Sequence, residues 1–192
     1  MSLTVLRTRL ATFVYGFVAG TAAMLFAFPF LFPPAPADDP APRAALGTAP
    51  QPAAGAAPAL GFRFDEAAPG RDRLHWANGT GRFVRTADGW VLRLEGDFHA
   101  GPGPDFWIYL NTRAVGEERD FQADAGRVKL TRLRSFDGAQ NYRLPPGIEP
   151  AAFHTVTIWC ERFGMYIGSG AVLASAPPAL ARASHADERA GA

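Results

Sequence analysis

The stretch from Phe106 to Asn111 reads FWIYLN, and its alternation decides the fold class of this chain. Its first, third and fifth side chains are apolar, and they alternate with Trp107, Tyr109 and Asn111. Successive side chains of an extended chain point to opposite faces, so a period of two predicts a β-strand with two distinct faces.

The same period recurs in residues 90–95, 128–131 and 156–161. The segments between these strands carry turn-forming residues, namely Asp88-Gly89, Gly101-Pro102-Gly103-Pro104, Asp137-Gly138 and Pro145-Pro146-Gly147. Many short strands separated by turns predict an all-β domain, either an antiparallel β-sandwich or an open barrel. Only residues 115–126, with their charged side chains, could hold a short helix or else form a loop.

An uncharged apolar segment precedes this domain at residues 10–32. As a helix it would be about 34 Å long, which is enough to cross a hydrocarbon layer about 30 Å thick. Arg7 and Arg9 lie just before it, and the next charged residue is Asp38. Because basic residues mark the cytoplasmic end of a span, the sequence predicts a single-pass signal anchor. Residues 1–9 are then cytoplasmic, and the domain is extracytoplasmic, either periplasmic or extracellular.

A cleaved signal peptide is the alternative for this segment. Ala35-Pro36-Ala37 resembles a small-x-small cleavage site, and cleavage there would leave Asp38 as the first residue. The apolar cores of signal peptides usually run for about 7 to 15 residues, and this one is longer. The length therefore favours an uncleaved anchor.

Composition divides the rest of the chain into three parts. Residues 33–60 are rich in Pro and Ala and nearly free of aromatic residues, so we expect a disordered linker with a typical reach of about 30 Å. Residues 61–174 carry the period-two signal and form the predicted domain. Residues 175–192 resemble a flexible tail.

The charge and cysteine content exclude some functions. The 192 residues include 19 Lys and Arg against 18 Asp and Glu, so the net charge of +1 does not favour nucleic-acid binding. No nucleophile elbow or other hydrolase signature is present. Cys160 is the single cysteine, so a disulfide within the chain is impossible.

Several of these segments together resemble the DM-thirteen domain family, which occurs beside DOMON domains in Skeletor-like proteins and also alone in membrane-anchored proteins. The most specific segments are the GPD-x-x-x-YL strand at residues 103–110 and the WC-E-x-F strand at residues 159–163. The resemblance covers about residues 62–173. It implies a β-rich extracytoplasmic electron-transfer module whose single cysteine, here Cys160, serves as a bare redox thiol or as a haem ligand.

The strand pattern by itself gives Cys160 a second interpretation. Cys160 shares its predicted face with Val156 and Ile158, so we expect it to point into the core, where free cysteine behaves as a small apolar residue. An unpaired thiol outside the cytoplasm is, however, exposed to oxidation, which Ala or Val would avoid. Core packing and redox chemistry therefore both stay open.

The residue types present limit which cofactors the domain could bind. No C-x-x-C-H motif is present, so only non-covalent haem binding is open and the cofactor is unknown. A blue-copper site needs two His with the Cys, and although Met165 follows Cys160, no suitable His lies near them in the sequence. His75, which precedes Trp76 and matches the family pattern, is the best candidate for a ligand.

Two functions follow from these patterns. The first is membrane-anchored redox or electron-transfer work at Cys160 with an unknown redox partner. The alternative is a non-enzymatic binding or scaffolding module at the cell surface, with Trp107, Tyr109 and Trp159 on the outward face as its contact surface.

Overall fold

A computed structural model describes residues 3–44, 59–64 and 72–175 of the chain. The helices in these ranges are α1 (Leu3–Leu31) and α2 (Glu118–Ala123), with a short 3-10 helix at Pro150–Ala152. The strands are β1 (Ala37–Asp38), β2 (Ala59–Arg63), β3 (Ala77–Asn78), β4 (Thr80–Thr86), β5 (Gly89–Leu94), β6 (His99–Ala100), β7 (Phe106–Asn111), β8 (Val128–Arg132), β9 (Gly138–Arg143), β10 (Thr155–Cys160), β11 (Met165–Ala171) and β12 (Leu173–Ser175).

Helix α1 begins before the predicted apolar segment, residues 10–32, and includes all of it except the last residue. Arg7–Leu25 within α1 is long and apolar enough to cross a membrane. Large apolar side chains such as Phe13 and Phe17 are exposed on it, as lipid-facing residues of a span would be. The predicted apolar helix is therefore present.

In the described residues the strands form three sheets. The two larger sheets pack against each other and are antiparallel apart from the parallel β1–β9 pair, and β3 and β6 form a separate two-stranded sheet. This arrangement confirms the predicted all-β fold class. The larger sheet has the order β1-β9-β5-β4-β2-β12, and the smaller has the order β11-β10-β7-β8. Alternate residues of both sheets, such as Leu92 and Leu94 from β5 and Ile108 and Ile158 from β7 and β10, meet in one buried core. The period of two seen in the sequence thus marks the inner face of each sheet.

The outer face of the smaller sheet is also covered. Tyr109 and Trp159 are each only 7% exposed because the Phe121 ring of α2 lies against them. The Phe121 and Trp159 rings stack with their centroids 4.2 Å apart. The prediction that Trp107, Tyr109 and Trp159 form an exposed contact surface is therefore wrong for two of the three residues. Their outward side chains are the base of a second apolar layer.

The structure also differs from the expected disordered linker immediately after α1. Strand β1 pairs in parallel with β9, and the N–H groups of Ala37 and Asp39 donate to the carbonyls of Asp137 and Ala139, each at 2.9 Å. A free sheet edge offers unpaired backbone groups, and β1 satisfies those of β9. Most of the rest of the expected linker, residues 45–58, and the expected tail from residue 176 onward lie outside the described residues.

Candidate functional site

Cys160 and Met165 face each other across a tight hairpin. Cys160 ends β10 and Met165 begins β11, and the two residues are direct partners in the antiparallel register. Directly opposed residues place their side chains on the same face of a sheet, with Cβ atoms about 5 Å apart. The hairpin therefore brings a thiol and a thioether together.

His75 is held by a carboxylate in a neighbouring turn. Asp72 accepts hydrogen bonds from the backbone N–H groups of Leu74 and His75, at 2.7 and 2.8 Å, through one oxygen. Its other oxygen lies 2.7 Å from Nδ1 of His75. These bonds lower the pKa of Asp72 to about 2, the hydrogen bond from His75 being the largest cause. Asp72 therefore fixes the tautomer and orientation of the imidazole and leaves Nε2 available, since the structure shows no hydrogen bond to Nε2 in the described residues.

The Gly101-Pro102-Gly103-Pro104 loop brings these segments together through close backbone packing. A Cβ on Gly101 would lie 2.2 Å from the carbonyl oxygen of Leu74, and one on Gly103 would lie 2.2 Å from the Phe106 ring. Any other residue at these positions would push the loop away from the His75 turn or from Phe106. The two glycines are therefore needed for the local geometry.

A single pocket of about 380 Å³ results, within the size range of small-ligand sites. Its described lining combines Cys160, His75 and Met165 with apolar side chains and the proline-glycine loop, namely Leu74, Pro102, Gly103, Pro104, Phe106 and Phe163. Leu74 and Phe163 are 44% and 48% exposed, so they form an apolar rim. The pocket thus opens to the outside while Cys160, at 2% exposure, lies at its base.

Two effects act in opposite directions on the pKa of the Cys160 thiol. Burial raises the pKa of the Cys160 thiol above its ordinary value. Hydrogen bonding from the backbone N–H groups of Phe163, Arg162 and Asp105 lowers this pKa, but by less than burial raises it. Such donors stabilise negative charge on sulfur, and a bound metal would stabilise that charge further.

The other histidines of the domain lie outside this pocket. Nδ1 of His99 is 2.6 Å from a carboxylate oxygen of Asp137, and this pair is exposed. His154 is exposed just before β10. Among the described residues, no group of three or more His, Cys, Asp and Glu side chains could hold a metal ion. Within the described residues, a metal site at Cys160 would therefore include at least one ligand other than His, Cys, Asp or Glu.

The sequence indicated Cys160 and His75 as separate candidates, and the structure places both on one pocket. No sequence pattern indicated Asp72 or the Gly-Pro loop as part of a site. Met165 carried a usable signal, because a four-residue turn ending in Gly164 makes it the register partner of Cys160. No local signal links His75 to either residue, since its turn is distant in the sequence.

The fold and pocket together define a small β-sandwich domain that buries its one cysteine beneath an open, mostly apolar cleft. Residues 70–171, more than half of the chain, match the family model described as electron transfer DM13. The chain therefore belongs to the electron transfer DM13 family. No curated protein and no solved structure matches it.

Proposed function

We propose that this protein is a membrane-anchored electron-transfer protein whose redox group is held at Cys160 in the pocket. The observation that carries the proposal is the convergence of Cys160 and His75 on one open cleft in a domain of an electron-transfer family. A domain that needed only core volume at residue 160 would not require a histidine, oriented by a carboxylate, on the same pocket.

The burial of Cys160 favours a ligand over a bare redox thiol. Thiol-disulfide exchange requires an accessible thiolate that can approach a second sulfur in line. Cys160 is 2% exposed, and burial raises the pKa of its thiol, so both requirements are poorly met. A small group that enters the pocket can reach the sulfur where another protein cannot.

Haem is the cofactor that the family resemblance suggests, and the pocket fits it only in part. Cys160 and His75 are both haem-ligand types. The described lining, however, contains no Arg or Lys that could pair with the haem propionates. The pocket volume of about 380 Å³ also lies near the lower end of the range of about 300 to 1,000 Å³ for ligand sites. These residues fit a group smaller than haem better.

The membrane anchor and the location outside the cytoplasm form part of the same proposal. Helix α1 is long and apolar enough to span a bilayer, and Arg7 precedes its apolar part. The positive-inside rule then supports a cytoplasmic N-terminus and an extracytoplasmic domain. An electron donor or acceptor would approach the domain at the outer membrane surface.

The experiment is protein-film voltammetry of the full chain purified from membranes in detergent. We expect a reversible one-electron signal in the wild type, its loss in Cys160→Ser and a shifted potential in His75→Gln. His99→Gln is the matched control, because His99 is also bonded to a carboxylate but lies outside the pocket. A folded wild-type protein that gives the same voltammogram as folded Cys160→Ser would refute the proposal and favour the binding module.

A further inference from the structure

From the pocket residues we infer that Cys160, Met165 and His75 bind a single copper ion in its cuprous state. The inference rests on the proposed function and names the redox group of that site. The lining of this one pocket contains a thiol, a thioether and an imidazole. Thiolate and thioether sulfurs are soft donors that select Cu(I), and imidazole also suits copper.

The two sulfur ligands are positioned by backbone structure. Cys160 and Met165 are paired across β10 and β11, so their separation depends on strand register and not on a mobile loop. Both residues also line the pocket, so an ion that enters it can reach the two sulfur atoms.

The histidine has the arrangement that metal-ligating histidines usually show. These residues bind metal through one ring nitrogen while the other nitrogen is hydrogen-bonded to a carboxylate, carbonyl or water. In His75 the Nδ1 atom is 2.7 Å from Asp72, which leaves Nε2 for the ion. Asp72 acts as a positioning residue.

The same ligand set argues against other metals. A structural zinc site usually has four Cys or His ligands, and an iron-sulfur cluster is held by several cysteines. This pocket has one Cys and one His, and its third ligand is a thioether. It also differs from a blue-copper site, which requires a second His. A three-coordinate Cu(I) site is the arrangement that these three side chains can complete.

Cu(I) replaces the proton of the Cys160 thiol, so one S–H bond breaks, one Cu–S bond forms and one proton leaves to solvent. In electron transfer the ion alternates between Cu(I) and Cu(II), and a one-electron carrier protein supplies or accepts the single electron. The open rim at Leu74 and Phe163 leaves the ion close to the surface, where such a partner can approach.

The test titrates the full chain in detergent with Cu(I) in competition with a coloured Cu(I) chelator. We expect one tightly bound ion per chain, no tight binding in Cys160→Ser, and affinity losses of at least about tenfold in Met165→Leu and His75→Gln. The matched controls are Met24→Leu, at an exposed methionine of α1, and His99→Gln, at a histidine outside the pocket, and both should bind as the wild type does. Near-ultraviolet circular dichroism establishes that each variant is folded.

Copper K-edge X-ray absorption of the loaded wild type provides a measurement that needs no variant, and we expect two sulfur neighbours and one nitrogen. Weak Cu(I) binding, tighter binding of Zn²⁺, or unchanged affinity in Met165→Leu would overturn the copper site. Haem binding that depends on Cys160 would also overturn it while leaving the proposed electron-transfer function intact. Failure of both inferences would appear as no binding of copper or haem together with a voltammogram unaffected by Cys160→Ser.

Discussion

Asp124 shows how one buried side chain can organise the second layer of the domain. It is 0% exposed, and its carboxylate accepts hydrogen bonds from the Asn111 amide, the Thr112 N–H and hydroxyl, and the Gly126 N–H, at 2.7 to 3.1 Å. Burial raises its pKa, but these hydrogen bonds prevail and hold the pKa below its ordinary value. Asp124 therefore ties the end of α2 to the end of β7.

We expect Asp124→Asn to lower the free energy of unfolding by about 2 to 3 kcal/mol, because the buried donors lose their charged acceptor. Since the pKa of Asp124 is depressed in the folded state, its contribution is present above about pH 4 and is lost as pH falls through the folded pKa. Urea unfolding of the full chain at neutral and acidic pH measures both effects. Asp88→Asn, at an exposed ion pair, is the control and should change stability by less than about 0.5 kcal/mol. Equal losses in the two variants would contradict the role of Asp124.

At the scale of elements, β1 converts the chain after α1 from an expected spacer into part of the larger sheet. Asp39 anchors it, because its carboxylate pairs with Arg134 and accepts the Asn141 N–H at 2.8 Å. Burial opposes ionisation, but these contacts prevail and lower the pKa of Asp39. The approach of β1 to β9 also depends on Gly138, since a Cβ there would lie 2.1 Å from the Ala37 carbonyl oxygen.

We expect Gly138→Ala to release β1 from β9, because the new methyl group would occupy the space of the Ala37 carbonyl. Gly147→Ala is the matched control, since both glycines have φ of +85° but a Cβ on Gly147 would meet nothing within 4 Å. Hydrogen exchange measures the result. The amides of Ala37 and Asp39 should lose protection in Gly138→Ala and keep it in Gly147→Ala. Similar exchange in both variants would show that left-handed backbone strain, and not the close approach, governs this region.

At the scale of the whole molecule, docking of β1 determines how far the domain can stand from the membrane. Helix α1 ends at Leu31 and β1 begins at Ala37, so the chain between them reaches about 20 Å at most. The long linker predicted from composition would have allowed a larger separation. We therefore expect the domain to remain close to the membrane end of α1.

Membrane topology is the prediction that belongs to this scale. Because Arg7 and Arg9 precede the apolar part of α1, a reporter fused after Ala174 should be active only outside the cytoplasm. Replacing both arginines with glutamate should reduce this bias, while replacing them with lysine should preserve it. Sequencing of the mature N-terminus distinguishes an uncleaved anchor from a cleaved signal peptide. After cleavage the mature protein would begin at Asp38. Reporter activity in the cytoplasm of the wild type would refute the proposed orientation.

The fold class and several of the strands could be predicted because their signals are local. The alternation in Phe106–Asn111 and Thr155–Cys160 indicated strands and placed Cys160 on the inner face, where it is buried. The candidate site could be predicted only as separate residues. Cys160 and His75 were both identified, but whether they share a pocket depends on contacts between distant segments.

By itself, therefore, the sequence determined the apolar helix, the strands β5, β7, β8 and β10 and the inward face of Cys160, since apolar length and a period of two depend only on neighbouring residues. The tertiary structure decided that α2 covers Trp159, that β1 docks on β9, and that His75, Cys160 and Met165 line one pocket. These three outcomes depend on which sheet face or edge remains to be covered after the strands have paired. That remaining surface is a property of the assembled sheets, and no local pattern of residues specifies it.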